Sequence, residues 1–145
     1  MALDFEVLLV EDDLGDVELV KESLKFSKLY LKIVHVHDGQ ECMEYLRRVG
    51  KYEGAKVPDL VLLDLNMPRK DGRQVLSEMQ SDQFLKDIPV VVLTGNQDVA
   101  DISKTFGNHF ISKPVDFYRF YEIVSEIPEL WFTIVKSPQV KKGDF

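Results

Sequence analysis

Cysteine is almost absent from this chain: Cys42 stands alone among 145 residues, which excludes an internal disulfide and any zinc cluster built on thiolates. A single thiol in an amphipathic stretch is expected to pack on an apolar helix face. Long hydrophobic runs are missing too. No stretch approaches the ~20 apolar residues that cross a bilayer, and the start, Met1-Ala2-Leu3-Asp4-Phe5-Glu6, lacks a signal-peptide pattern. The expectation is a cytoplasmic protein with no membrane partner. Basic excess is lacking as well: 18 Lys and Arg against 25 Asp and Glu leave a net charge of −7. A nucleic-acid surface needs a basic stripe, so no nucleic-acid partner and no DNA-binding arm or second module is expected. What is present, 45% hydrophobic and 30% charged residues, is an ordinary globular composition, of a length that suits one domain.

Apolar runs alternate with amphipathic stretches along the chain. Phe5 to Val10 reads as a first strand and ends in Glu11-Asp12-Asp13. A helix from Gly15 to about Phe26 follows, with Val17, Leu19, Val20 and Leu24 on its inward side. Leu31 to His37 alternates as an edge strand should, Asp38-Gly39 reads as a turn, and Gln40 to Val49 as a second helix with Met43, Leu46 and Val49 inward. Asp59-Leu60-Val61-Leu62-Leu63-Asp64 has the continuous apolar run of a central strand buried on both faces. A third helix is expected over Arg73–Gln80, a fourth strand over Ile88–Leu93 ending in Thr94-Gly95, and a fourth helix near Val99–Thr105. His109-Phe110-Ile111 would be a fifth strand ending in Ser112-Lys113-Pro114, and a fifth helix would run from its N-cap Asp116 to Glu126 with Phe117, Phe120, Tyr121 and Val124 inward. Five such alternations predict an α/β fold: a doubly wound, flavodoxin-like, five-stranded parallel sheet of order 2-1-3-4-5 with helices on both faces. The domain would span residues 1–126, with 127–145 as a C-terminal extension.

In such sheets ligands sit beyond the carboxyl ends of the strands. The polar residues that close the apolar runs there are Glu11, Asp12, Asp64, Thr94 and Lys113. Carboxylates brought together repel, and the cluster must hold a proton or bind a cation. Oxygen ligands without His or Cys select a hard divalent ion, Mg²⁺. A carboxylate, a metal, an ammonium and a hydroxyl are the parts of phosphoryl transfer to aspartate. Asp64 would be the nucleophile and phosphoacceptor, and Glu11, Asp12, Asp64 and the backbone carbonyl of Asn66 would serve the metal. Lys113 and Thr94 would neutralise and bind phosphoryl oxygens, with Gly95 leaving room. Taken one at a time, these residues have plainer explanations, Asp64 as a turn aspartate and Glu11-Asp12-Asp13 as helix-capping acids, with Asp13 the best candidate for the cap.

Glu11-Asp12, Asp64 with Asn66-Met67-Pro68 and Asp71-Gly72, Thr94-Gly95, and Lys113-Pro114 together resemble the receiver domain of two-component response regulators. The resemblance implies a sensor histidine kinase as phosphodonor and a switch that couples Thr94 to the aromatic residue three before the lysine, here Phe110. It also makes Asn66 and Asn96 the positions that tune dephosphorylation. Catalysis is confined to the protein's own phosphorylation and dephosphorylation, so the chain is not an enzyme in the ordinary sense. More narrowly, the chain is similar to stand-alone regulators that serve bacterial phytochromes, which implies a phytochrome as kinase and a homodimer. Tyr118, off the inward face of its helix, and Trp131-Phe132 in the extension are the interface candidates. A phosphorylation-independent scaffold is the alternative reading. An aspartyl-phosphate phosphatase would carry an aspartate where Asn66 stands. His35 and His37 share a strand face without a third ligand, and neither they nor His109 are expected at the site.

Overall fold

The computed structural model describes residues 5–25, 31–65, 67, 70–95, 110–113 and 115–127. Its strands are β1 (Phe5–Val10), β2 (Leu31–Val36), β3 (Leu60–Asp64), β4 (Val90–Thr94) and β5 (Phe110–Ser112). All pair in parallel in the order β2-β1-β3-β4-β5. The helices are α1 (Leu14–Lys25), α2 (Gly39–Arg47), α3 (Gly72–Ser81) and α4 (Phe117–Ser125), with a short 3₁₀ turn at Gly50–Tyr52. The helix expected near 99–105 lies outside the described residues, as do Asn66, Asn96, His109, Trp131 and Phe132.

The period of two along each strand divides the core between the two faces. Val7 and Leu9 of β1, Leu60 and Leu62 of β3, and Val91 and Leu93 of β4 pack with Val17, Val20 and Leu24 of α1 and Phe120, Ile123 and Val124 of α4. The residues between them, Leu8, Val10, Val61, Leu63 and Val92, pack with Cys42, Met43 and Leu46 of α2 and Val75, Leu76 and Met79 of α3. Every residue of β1 and β3 is buried, as a central parallel strand requires. Each fully buried leucine there contributes about 2 kcal/mol by removal of apolar surface from water. Cys42 lies in the α2 packing, where burial pushes its thiol up to about 12; the thiol is a core group and a poor nucleophile.

Three expectations need correction. Leu19 and Val49 are exposed instead of inward. Leu19 lies about 200° around α1 from Val17, on the water side, and Val49 follows Arg48, whose left-handed conformation (φ 55°) ends α2 before it. Asp38-Gly39 is the start of α2 and not a free turn: the Asp38 carboxylate accepts from the Glu41 N–H at 2.8 Å, and Glu41 in turn accepts from the His37 N–H at 2.7 Å. The Asp-x-x-Glu spacing is the signature of such a cap. Strand and helix ends elsewhere move by one or two residues, as ends do.

Two glycines let the loop after β3 close on the sheet. The Gly39 N–H donates to the Lys70 carbonyl at 3.1 Å, and the Gly72 N–H to the Leu65 carbonyl at 3.1 Å. A Cβ at Gly72 would stand 2.5 Å from the Asp64 carbonyl oxygen and 2.6 Å from Leu65 Cα, and neither backbone atom can swing aside as a side chain would. Gly72→Ala is therefore expected to cost about 1–3 kcal/mol in urea unfolding. A loss below about 0.5 kcal/mol would mean that the loop relaxes freely.

Candidate functional site

Backbone pairing runs one residue past three strands and sets the strand ends side by side. The Glu11 N–H donates to the Val36 carbonyl at 3.1 Å, Leu65 to Leu93 at 3.3 Å, and Lys113 to Thr94 at 2.9 Å. Val10 is in register with Leu63, so Glu11 and Asp64, the next residue of each chain, are neighbours. Strand alternation turns Glu11, Asp64 and Lys113 toward the face covered by α1, because Leu9, Leu62 and Ile111, two residues before each, belong to that core.

The Lys113 ammonium gathers the acids. Its Nζ lies 2.7 Å from Glu11 Oε2, 2.9 Å from Asp16 Oδ2 and 3.2 Å from Asp64 Oδ2. Burial works against its charge, but contact with Glu11, then Asp16 and Asp64, outweighs that and raises its affinity for the proton above the usual lysine range. Glu11, fully buried, has its carboxyl pushed up to about 7, first by burial and next by a hydrogen bond to the Asp64 carboxyl, with Lys113 and the Asp13 N–H pulling the other way. Glu11 Oε2 receives no properly directed hydrogen bond, so its contact with Lys113 is one of charge and not of direction.

Carboxylate oxygens of Glu11, Asp12 and Asp64 lie within 4.8 Å of one another. Three carboxylates this close, two of them buried, suit a small hard divalent ion. Asp12 is exposed and Asp64 buried, so the cluster opens on one side to solvent. It borders a cavity of about 310 Å³ that Asp13, Gly95 and Lys113 also line.

Thr94 is the last residue of β4 and is buried; its hydroxyl donates over a long 3.4 Å to the Gly95 carbonyl. Phe110, half-buried at the start of β5, packs on the core of the α2–α3 face. Tyr118 is exposed at the start of α4, where the Asp116 carboxylate caps the helix by accepting from its N–H at 3.0 Å. Asp13 caps α1 by accepting from the Asp16 N–H at 3.0 Å.

Sequence reasoning missed two participants. Asp16 reaches Lys113 from the first turn of α1; the signal was its place one turn beyond the Asp13 cap, on the helix that covers this face. His35 does touch the site, contrary to expectation: its Nε2 donates to the Glu11 carbonyl at 2.7 Å. Its neighbour His37 stacks edge-on at 4.6 Å.

A parallel sheet of this order with acids at its central strand ends and a lysine beyond its edge strand defines a receiver-type signalling domain. The model of the response regulator receiver domain family matches residues 7–125, and the chain belongs to that family. Response regulator Rcp1 of Synechocystis sp. is 38% identical over 135 residues, 91% of this chain and 92% of its own. The Mn(2+)-bound form of response regulator Rcp1 superposes with a TM-score of 0.71, covering 92% of this chain and 98% of that one. The bacteriophytochrome response regulator AtBRR (34% identity, TM-score 0.78) covers 89% of this chain and 94% of its own. The phosphorylated cyanobacterial phytochrome response regulator RcpA (41%, 0.73) covers 94% and 99%. Among the described residues no helix is long and apolar enough to cross a membrane.

The carboxyl of Glu11 makes cation binding pH-dependent. Its folded value of about 7 stands above its ordinary 4.5, so the folded state holds a proton that the unfolded chain has released. The stability from that proton is full below about 4.5 and lost as pH rises through about 7. A cation needs the site deprotonated, so divalent-ion affinity should fall up to about tenfold per pH unit below about 7. Calorimetric titration with Mg²⁺ or Mn²⁺ checks this, and Glu11→Gln should flatten the profile. A wild-type affinity constant from about pH 5.5 to about pH 8 would rule out the shared proton.

Proposed function

We propose that this receiver takes a phosphoryl group from a sensor histidine kinase onto Asp64 and signals through a phosphorylation-dependent protein contact. The observation that carries the reading is the Lys113 ammonium 3.2 Å from Asp64, beside a cluster of carboxylates that has no structural need to be there. Asp64 is held by the β3 ladder with its carboxylate at the cavity edge, and Lys113 is fixed by its own N–H to Thr94. The Asp64 oxygen forms the new P–O bond in line with the donor's departing nitrogen, and Lys113 neutralises charge on the transferred group. Glu11, Asp12 and Asp64, with the backbone carbonyl of Asn66, would hold Mg²⁺, which when bound offsets the negative charge of the phosphoryl oxygens. Asn66 and Asn96 are the proposed tuning positions for hydrolysis. The chemistry stops at this phosphorylation and its reversal, so no other substrate is turned over.

Thr94 and Phe110 supply the proposed switch. Val92 is in register with Phe110, and Thr94 with Ser112, so Thr94 lies two residues beyond Phe110's partner, on the same sheet face. That is the diagonal relation in which side chains on neighbouring strands interact. A hydroxyl drawn to the phosphoryl group vacates space beside a ring that is half-buried already. The likeness to AtBRR and RcpA supports a phytochrome as the kinase. We take residues 1–126 as the receiver, and Tyr118, Trp131 and Phe132 of α4 and the 127–145 extension as a homodimer surface, in a cytoplasmic protein.

Incubation with acetyl phosphate and a divalent cation should yield one base-labile acyl phosphate per chain on the wild type and none on Asp64→Asn. Lys113→Met should lower the yield at least tenfold, because the charge contact to the transferred group is gone. Equal labelling of wild type and Asp64→Asn would overturn the assignment.

A further inference from the structure

We propose that Asp16 is a positioning residue of this site, a counter-ion that restrains the Lys113 ammonium and weakens phosphoryl capture. The inference rests on Asp64 being the acceptor. A lysine ammonium has three N–H donors, and three carboxylates stand around Lys113: Glu11, Asp16 and Asp64. Two of the three belong to the cluster whose oxygens converge within 4.8 Å; Asp16 does not. A cation on that cluster would draw Glu11 toward itself, and phosphorylation would turn one Asp64 carboxylate oxygen into the bridging oxygen of an acyl phosphate, a mixed anhydride. Asp16 changes in neither event and keeps its claim on one N–H.

Its hold is a fixed one. Asp16 sits in the first turn of α1 with its own N–H donated to the Asp13 carboxylate at 3.0 Å, and its carboxylate hydrogen-bonds Nζ at 2.9 Å. It also borders the cavity that an incoming dianionic group must enter, so its charge acts in the same direction as its contact. The carboxylate is one-third exposed, which keeps the expected effect near that of a solvent-screened pair.

The test is binding of beryllofluoride with Mg²⁺ to the full chain, measured by calorimetry in the wild type and four variants. Asp16→Asn should bind about fivefold tighter than wild type, because the amide keeps the shape and loses the charge. Asp16→Glu, which can still reach Lys113, should restore wild-type affinity, an outcome that loss of a purely structural contact would not give. Glu18→Gln removes an exposed charge from the same helix, outside the cavity lining, and should change affinity less than about twofold. Unchanged or weaker binding by Asp16→Asn, or equal tightening by Glu18→Gln, overturns the restraint while leaving Asp64 as acceptor. No binding by wild type, or undiminished binding by Asp64→Asn, overturns the acceptor and the restraint together.

Discussion

One ammonium sits among carboxylates from three other elements, and much of the structure at this edge is arranged by that fact. Glu11 from β1, Asp16 from α1 and Asp64 from β3 converge on Lys113 at the end of β5. Two of the acids are buried, and a buried carboxylate without a counter-charge costs several kcal/mol. The conflict is resolved only in part. Burial first, and then the Asp64 carboxyl, push the Glu11 carboxyl up to about 7 in spite of the ammonium beside it. A site left short of positive charge within a stable fold is a site prepared to receive more of it.

Another buried acid, whose Oε2 also lacks a hydrogen-bond partner, shows what burial without crowding looks like. Glu6, in the same strand as the approach to Glu11 but near its other end, is equally enclosed. It receives the Tyr45 hydroxyl at 3.2 Å and faces Lys32, its register partner on β2, at 3.8 Å. Among the described residues it belongs to no convergent group of three acids; the Asp59 carboxylate accepts the Glu6 N–H at 2.8 Å. Burial by itself therefore does not mark a functional acid in this protein. Crowding of like charge at the strand ends does.

The fold was legible because parallel strands buried on both faces must read as unbroken apolar runs, and β1, β3 and β4 do. The residues closing those runs named most of the site for the same reason: a polar residue after such a run has nowhere to go but the sheet edge. Asp16 was not legible by that rule. It belongs to a helix, where an acid in the first turn has an ordinary reason to be present, and only the packing of α1 on the Lys113 face turns it toward the ammonium. His35 escaped for a related reason, since its partner is a backbone carbonyl, which leaves no trace in residue types. Leu19 was misplaced because it was counted with the apolar residues of α1 although it lies about 200° from Val17, and Val49 because periodicity does not know where a left-handed cap ends the helix.

The two sides of the edge differ in what can give way. On the α2–α3 side the backbone that carries Asp64 is tied twice, through Gly39 to Lys70 and through Gly72 to Leu65, and Gly72 is packed so closely that a methyl group does not fit. Leu65 is further bonded to Leu93. On the β4–β5 side lie a hydroxyl with one long hydrogen bond, a half-buried ring and the Lys113 ammonium, 3.2 Å from Asp64. Side chains can change rotamer at small cost, whereas a pinned backbone in a close-packed core cannot move without disturbing its neighbours. A change of charge at Asp64 thus acts directly on the Lys113 ammonium 3.2 Å away, and the proposed switch would pass it on through Thr94 and Phe110. Asp16, which shares that ammonium from α1 on the same face, is in our proposal the acid that sets how readily it lets go.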